Sequence, residues 1–161
     1  MSNLRRMSFR SPEIILPTEE DTDTLAGRIA EALRPGDVVL LHGPIGAGKS
    51  HFARALIRQR LGNPVEEVPS PTFTIVQTYP DANGDIWHCD LYRLGNPEEL
   101  VELGLDEAFD TAICLIEWPD RLGEARPDHA LDLWLSAGEG GHRATFAGPD
   151  QWDNRLRDAL V

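Results

Sequence analysis

Lysine is nearly absent from this chain: of 15 basic side chains only Lys49 is a lysine, and the others are arginines. The Asn-Lys-x-Asp element by which GTP-dependent switches recognise guanine therefore cannot be present, because Lys49 stands in a glycine-rich loop. Cysteine is scarce as well. Cys89 and Cys114 have neither metal-ligand spacing nor a disulfide framework around them, which predicts small core residues in a reducing compartment. No apolar run is long enough to cross a bilayer. Arg5, Arg6 and Arg10 near the N-terminus lack the apolar stretch that would make a signal peptide, so the expected location is cytoplasmic. Positive charge is outnumbered, and a net charge of −12 excludes broad electrostatic attachment to nucleic acid or to an anionic membrane. Any RNA connected with this protein is expected to be held by a partner.

What is present suits a folded, soluble protein. Hydrophobic residues make up 41% and charged residues 26% of 161, enough for one domain, residues 1–161, with a proper core. Residues 1–9 read as a mobile tail. There is no internal repeat and no convincing second domain.

The chain is organised around residues 43–50, Gly-Pro-Ile-Gly-Ala-Gly-Lys-Ser, which fit the phosphate-binding loop pattern without a mismatch. The apolar run Val38-Val39-Leu40-Leu41 before it suits a buried strand, and an amphipathic stretch follows from Ser50. This is the strand–loop–helix context that the motif requires. The backbone through Gly43, Gly46, Ala47 and Gly48 would turn its N–H groups onto phosphates at the positive end of the following helix. Lys49 would reach the β- and γ-phosphates, and Ser50 would offer its hydroxyl to Mg²⁺. A compact ammonium on a flexible stem suits that role better than a planar guanidinium. The alternative is a glycine-rich turn that binds nothing.

The rest of the pattern is α/β. Glu13 to Leu16 reads as a short strand, and Thr18 caps a helix with Glu19, Glu20 and Asp21 in its first turn and Leu25, Ile29 and Leu33 as its buried stripe. After the loop, Phe52, Leu56, Ile57 and Leu61 share a helix face, leaving Arg54, Arg58 and Arg60 on a solvated side. Phe73 to Tyr79 and Asp85 to Cys89 form a hairpin across residues 80–84, whose Asn-Gly pair tolerates positive φ. Asn96-Pro97-Glu98-Glu99 starts a helix that Gly104 interrupts. Ala112 to Ile116 is continuously apolar, as in a parallel strand covered on both faces. A second hairpin, 130–136 with 142–147, and a helix over Gln151 to Leu160 close the chain. The predicted fold is a three-layer P-loop domain with a mixed sheet and antiparallel hairpin additions.

Chemistry in such a domain needs a carboxylate at a strand end. Glu117 follows four apolar residues, the Walker B pattern with glutamate for aspartate, at the sheet edge where ligands sit in open α/β folds. Asp90 ends the hairpin's second strand, with His88 two residues before it on the same face. Either carboxylate alone would also serve as a strand-end turn residue. Ser70-Pro71-Thr72 could return to the γ-phosphate as switch loops do. Trp118 reads as sheet-edge packing, His88 as a hydrogen-bonded structural histidine, and Arg93 and Arg121 as surface residues.

Four segments in order, the loop at 43–50, Ser70-Pro71-Thr72-Phe73-Thr74, His88-Cys89-Asp90-Leu91-Tyr92-Arg93-Leu94 and Ile116-Glu117-Trp118-Pro119-Asp120-Arg121, resemble the bacterial TsaE family. The resemblance covers about Ile14 to Arg121 and matches the C-terminal hairpin and helix in outline. It implies a small P-loop ATPase of tRNA threonylcarbamoyladenosine synthesis that uses ATP to reset the TsaD–TsaB complex and meets tRNA only through that complex. It further implies that Lys49 and Ser50 hold phosphate and Mg²⁺, that Asp90 and Glu117 form the metal and water-activating set, that Thr72 belongs to the switch-like loop and that Trp118 lies beside the nucleotide. The family's usual Asp-Leu after the first loop glycine is Pro44-Ile45 in this chain, and Ser50 stands for its threonine. A small-molecule kinase is a different reading, weakened because Leu91 to Asp110, where an arginine-bearing lid would lie, offers only Arg93 and is otherwise acidic. A nucleotide-binding adaptor that does not hydrolyse ATP is a third.

Overall fold

A computed structural model of the protein describes residues 8–71 and 74–160. Eight strands and five α-helices follow one another as β1 (Phe9–Arg10), β2 (Ile14–Leu16), α1 (Glu19–Ala32), β3 (Val38–His42), α2 (Lys49–Leu61), β4 (Val76–Asp81), β5 (Gly84–Asp90), α3 (Glu98–Leu103), α4 (Leu105–Thr111), β6 (Ile113–Glu117), β7 (Leu131–Gly138), β8 (Gly141–Gly148) and α5 (Gln151–Leu156), with a 3₁₀ segment at Pro119–Ala125. The sheet order is β1-β8-β7-β3-β6-β5-β4, with β2 also on β8. Its centre is parallel, because β3 pairs in parallel with β6 and β7, and β5 with β6. The edges are antiparallel, β4 on β5 and β8 on β7. The mixed sheet with two hairpin additions is as the sequence predicts.

Alternation along the central strands sorts their side chains into two cores. Val39 and Leu41 of β3 pack with Leu25 and Ile29 of α1, Phe52 and Leu56 of α2, and Trp152 of α5. Val38 and Leu40 pack on the other face with Leu100, Leu105, Phe109 and Leu122. The result is three layers. Cys89 and Cys114 are free and buried in the second core, and burial pushes the Cys114 thiol up to about 12.

Helix α1 opens on a reciprocal capping box: the Asp21 N–H donates to Thr18 Oγ1 at 3.2 Å and the Thr18 N–H to Asp21 Oδ2 at 3.0 Å. Other boundaries differ from expectation. Phe9 is buried and pairs with Gly148 in β1, so chain expected to be mobile is built into the sheet edge by residue 9; residues 1–7 lie outside the described residues. The first hairpin strand runs on through Pro80 and Asp81, and the positive φ falls on Gly84, at 145°, not on Asn83. Asn96 Oδ1 accepts from the Glu98 N–H at 2.9 Å, whereas Glu99 reaches the Gly95 N–H instead of closing a box on Asn96. The arginines of α2 are not simply solvated. Arg60 donates to Asp81 and to the carbonyls of Ala30 and Leu33, while Arg54 and Arg58 reach the carbonyls of Val68 and Glu66. They tie α2 to the hairpin, to the end of α1 and to the loop before β4, contacts invisible to helical periodicity.

Candidate nucleotide site

Strand β3 delivers the chain to Gly43, whose φ is +144° and where a Cβ would lie 2.4 Å from the Leu135 carbonyl oxygen. Only glycine fits there. The loop closes at Gly48, φ +99°, which opens α2, so the first helical N–H groups and the positive end of the helix point back into the loop. Ala47 is buried beneath it.

Lys49, 6% exposed, folds back so that Nζ donates to the Gly43 carbonyl at 2.6 Å and lies 3.7 Å from the ring centroid of Trp118. Burial pushes its ammonium below the ordinary lysine range against the opposing charges of Glu117, Asp90 and Asp120. Ser50 Oγ donates to Glu117 across 3.1 and 3.2 Å to the two carboxylate oxygens. Pairing of β5 with β6 sets Asp90 beside Glu117 and His88 beside Leu115. His88 and Asp90 therefore share a face with Glu117, turned toward the start of α2. His88 Nε2 donates to Glu117 Oε2 at 2.8 Å, and both residues are buried. Asp90 accepts from the Tyr92 N–H at 3.0 Å. Burial, reinforced by the charge of Glu117, holds the Asp90 carboxyl above the ordinary range, although the Tyr92 N–H, Lys49 and His88 pull it down.

Trp118 takes a left-handed backbone, φ 58° and ψ 53°, a conformation that costs a non-glycine residue roughly 1–2 kcal/mol. That turn sets its ring over Lys49 and 5.0 Å from Tyr92. Trp118 thus does more than pack the sheet edge. The Arg121 guanidinium lies 5.7 Å from the Tyr92 ring centroid, outside the lining of the cleft.

These groups line a cleft of about 520 Å³ that brings together Gly46, Gly48, Lys49, Ser50, Asp90, Glu117 and Trp118, with Ser70 at its margin. Thr72 lies outside the described residues. A larger cavity, about 640 Å³, lies between α1 and α2 and touches the loop side only through His51. Its size does not make it the reactive centre. Sequence reasoning missed His51, Tyr92 and His142 as walls of the 520 Å³ cleft. Tyr92 had a signal, its place two residues after Asp90; His142 arrives from the C-terminal hairpin, with none. Among the described residues no three His, Cys, Asp or Glu side chains gather as a self-sufficient metal site. The Ser50 hydroxyl and the Glu117 carboxylate are the hard oxygen donors that a cation shared with phosphate would use.

The loop, the paired carboxylates and Trp118 all fall within residues 16–145, which match the family model "Threonylcarbamoyl adenosine biosynthesis protein TsaE". The chain belongs to the TsaE family. The match runs beyond Arg121 into β8, so the C-terminal hairpin is part of the TsaE domain. A Rickettsia felis protein named tRNA threonylcarbamoyladenosine biosynthesis protein TsaE is 47% identical over 107 residues, 66% of this chain and 62% of that one. Its Rickettsia conorii namesake is 37% identical over 146 residues, covering 91% of this chain and 83% of the other. Among solved structures, YdiB of Bacillus subtilis superposes with a TM-score of 0.72 at 28% identity, over 94% of this chain and 92% of that one. Among the described residues no helix is long and apolar enough to cross a membrane.

Proposed function

We propose that this chain binds ATP with Mg²⁺ in the cleft at residues 43–50 and hydrolyses it, weakly alone, to reset the TsaD–TsaB complex that places threonylcarbamoyl on tRNA adenosine in the cytoplasm. The observation that carries this reading is the convergence of Lys49, Ser50 and Glu117 at the start of α2, with a hydroxyl–carboxylate distance of 3.1 Å. A bound magnesium ion would supply charge neutralisation for the phosphates. The loop N–H groups and Lys49 bind and orient the phosphate chain; Lys49 exchanges a neutral carbonyl partner for an anion. Ser50 and Glu117 present oxygen donors to the cation. Asp90, beside Glu117 and held back from full acidity by burial, is placed to take a proton from an attacking water, the division of labour such sites need. The Trp118 and Tyr92 rings shield the cleft. The acidic chain leaves tRNA to the partner proteins.

The test is the steady-state ATP hydrolysis rate of the purified chain with and without TsaD–TsaB from the same source. Stimulation by the complex is the expected result. ATP bound but never turned over, with or without the complex, would replace the ATPase reading with that of a nucleotide-dependent adaptor.

A further inference from the structure

Glu117 is buried and accepts from two side chains, and the two donors face different futures once phosphate and a cation enter. Ser50 Oγ shares its bond between both carboxylate oxygens at 3.1 and 3.2 Å, and it is the group that would turn to the cation. His88 Nε2 bonds only Oε2, at 2.8 Å. When Ser50 lets go, His88 is the remaining side-chain anchor that these contacts give the carboxylate. Without it the Lys49 ammonium, which interacts electrostatically with Glu117, is left to attract the carboxylate.

The histidine is also costly to keep. It is 1% exposed, and its Nδ1 is buried with no protein hydrogen-bond partner among the described residues. A histidine retained only to fill the core would do better with both nitrogens satisfied, or as an apolar side chain. Since an ionised carboxylate can only accept, Nε2 carries a hydrogen in this bond, and Nδ1 makes none. The ring is committed to one bond.

We infer that His88 is a positioning residue: its Nε2–H pins Glu117 Oε2 so that Oε1 stays presented to the phosphate-bound cation instead of swinging onto Lys49. This rests on the nucleotide reading of the cleft. Losing an outer partner of a metal-ligating carboxylate typically weakens metal binding about 10–100-fold.

The test is Mn²⁺ affinity of the ADP-bound protein by electron paramagnetic resonance, beside metal-free ADP affinity by calorimetry, for the wild type, H88A, H88Q and H88N. Glutamine keeps a donor near the Nε2 position, whereas asparagine places it near Nδ1. The expected result is a roughly 10–100-fold weaker Mn²⁺ affinity in H88A and H88N, recovery in H88Q, and metal-free ADP affinity unchanged throughout. Mn²⁺ affinity in H88A equal to the wild type would overturn the inference alone, as would H88Q binding no better than H88A, which would mark His88 as core filling. A wild type that binds no ADP would overturn the nucleotide reading and the inference with it. Thermal unfolding of each variant separates loss of the fold from loss of the anchor.

Discussion

Two buried carboxylates flank the loop-bearing strand, one on each side, and each bonds a histidine. Glu117 on β6 is in register with Leu41, and Asp132 on β7 with Leu40, so one residue of register sends them to opposite faces of the sheet. Asp132 is fully buried and closed. Arg126 grips both oxygens through Nη1, at 2.7 Å, and Nη2, and His42 Nε2 donates to Oδ1 at 2.6 Å. Burial pushes the Asp132 carboxyl up, but the bonds from His42 and Arg126 outweigh it and hold the group below the ordinary range. Glu117 has a hydroxyl and one imidazole nitrogen for donors, and the nearby ammonium of Lys49 bonds a carbonyl instead. Burial alone does not mark a reactive carboxylate. What separates the two is the kind of partner: a guanidinium takes both oxygens of Asp132, whereas among the described residues no arginine or lysine bonds Glu117.

The largest expected effect breaks the closed member. Arg126→Ala strands a buried carboxylate and should cost about 3–5 kcal/mol of stability at neutral pH, measured by chemical denaturation. Because the folded-state value of Asp132 lies below its unfolded value, the stabilisation is fully present above about pH 4 and is lost as pH falls through the folded value. The gap between wild type and R126A should therefore narrow on acidification. A gap constant from pH 7 to pH 3 would show that the ion pair is not its source.

The open member responds in binding. Lys49→Ala should weaken ATP by about 1.5–3 kcal/mol in calorimetry, while its unfolding midpoint falls much less than that of R126A, since the ammonium removed was desolvated. Unchanged affinity would remove the loop from the account. The smallest effect concerns Trp134, 38% exposed and stacked on His42 with ring centroids 4.5 Å apart. Trp134→Ala should cost about 0.5–1.5 kcal/mol of stability and leave ATP affinity as it was, because the stack supports the closed pair only.

The same contrast explains what could be read in the sequence. The open site is built from segments with local signatures: a loop pattern at 43–50, an apolar run ending in Glu117, and a hairpin strand ending in Asp90. The parallel pairing of β5 with β6 brings these ends together. The closed cluster joins His42, Arg126 and Asp132, whose spacing carries no periodicity; only the return of β7 to β3 makes them neighbours. Arg60 was illegible for a related reason, since its partner Asp81 belongs to a strand that runs past a proline. His88 is a buried, hydrogen-bonded histidine as its sequence context predicts, whereas the place of Trp118 over Lys49 was illegible, because a left-handed backbone leaves no trace in residue order.

The most direct test of the central claim, that Glu117 is the open, reactive member, is the ATP hydrolysis rate of Glu117→Ala against the wild type in the presence of TsaD–TsaB, with ATP binding followed in parallel. The account predicts that turnover falls at least about 100-fold while ATP stays bound. Turnover at the wild-type rate would contradict it, and the carboxylate at the end of β6 would then be as structural as Asp132.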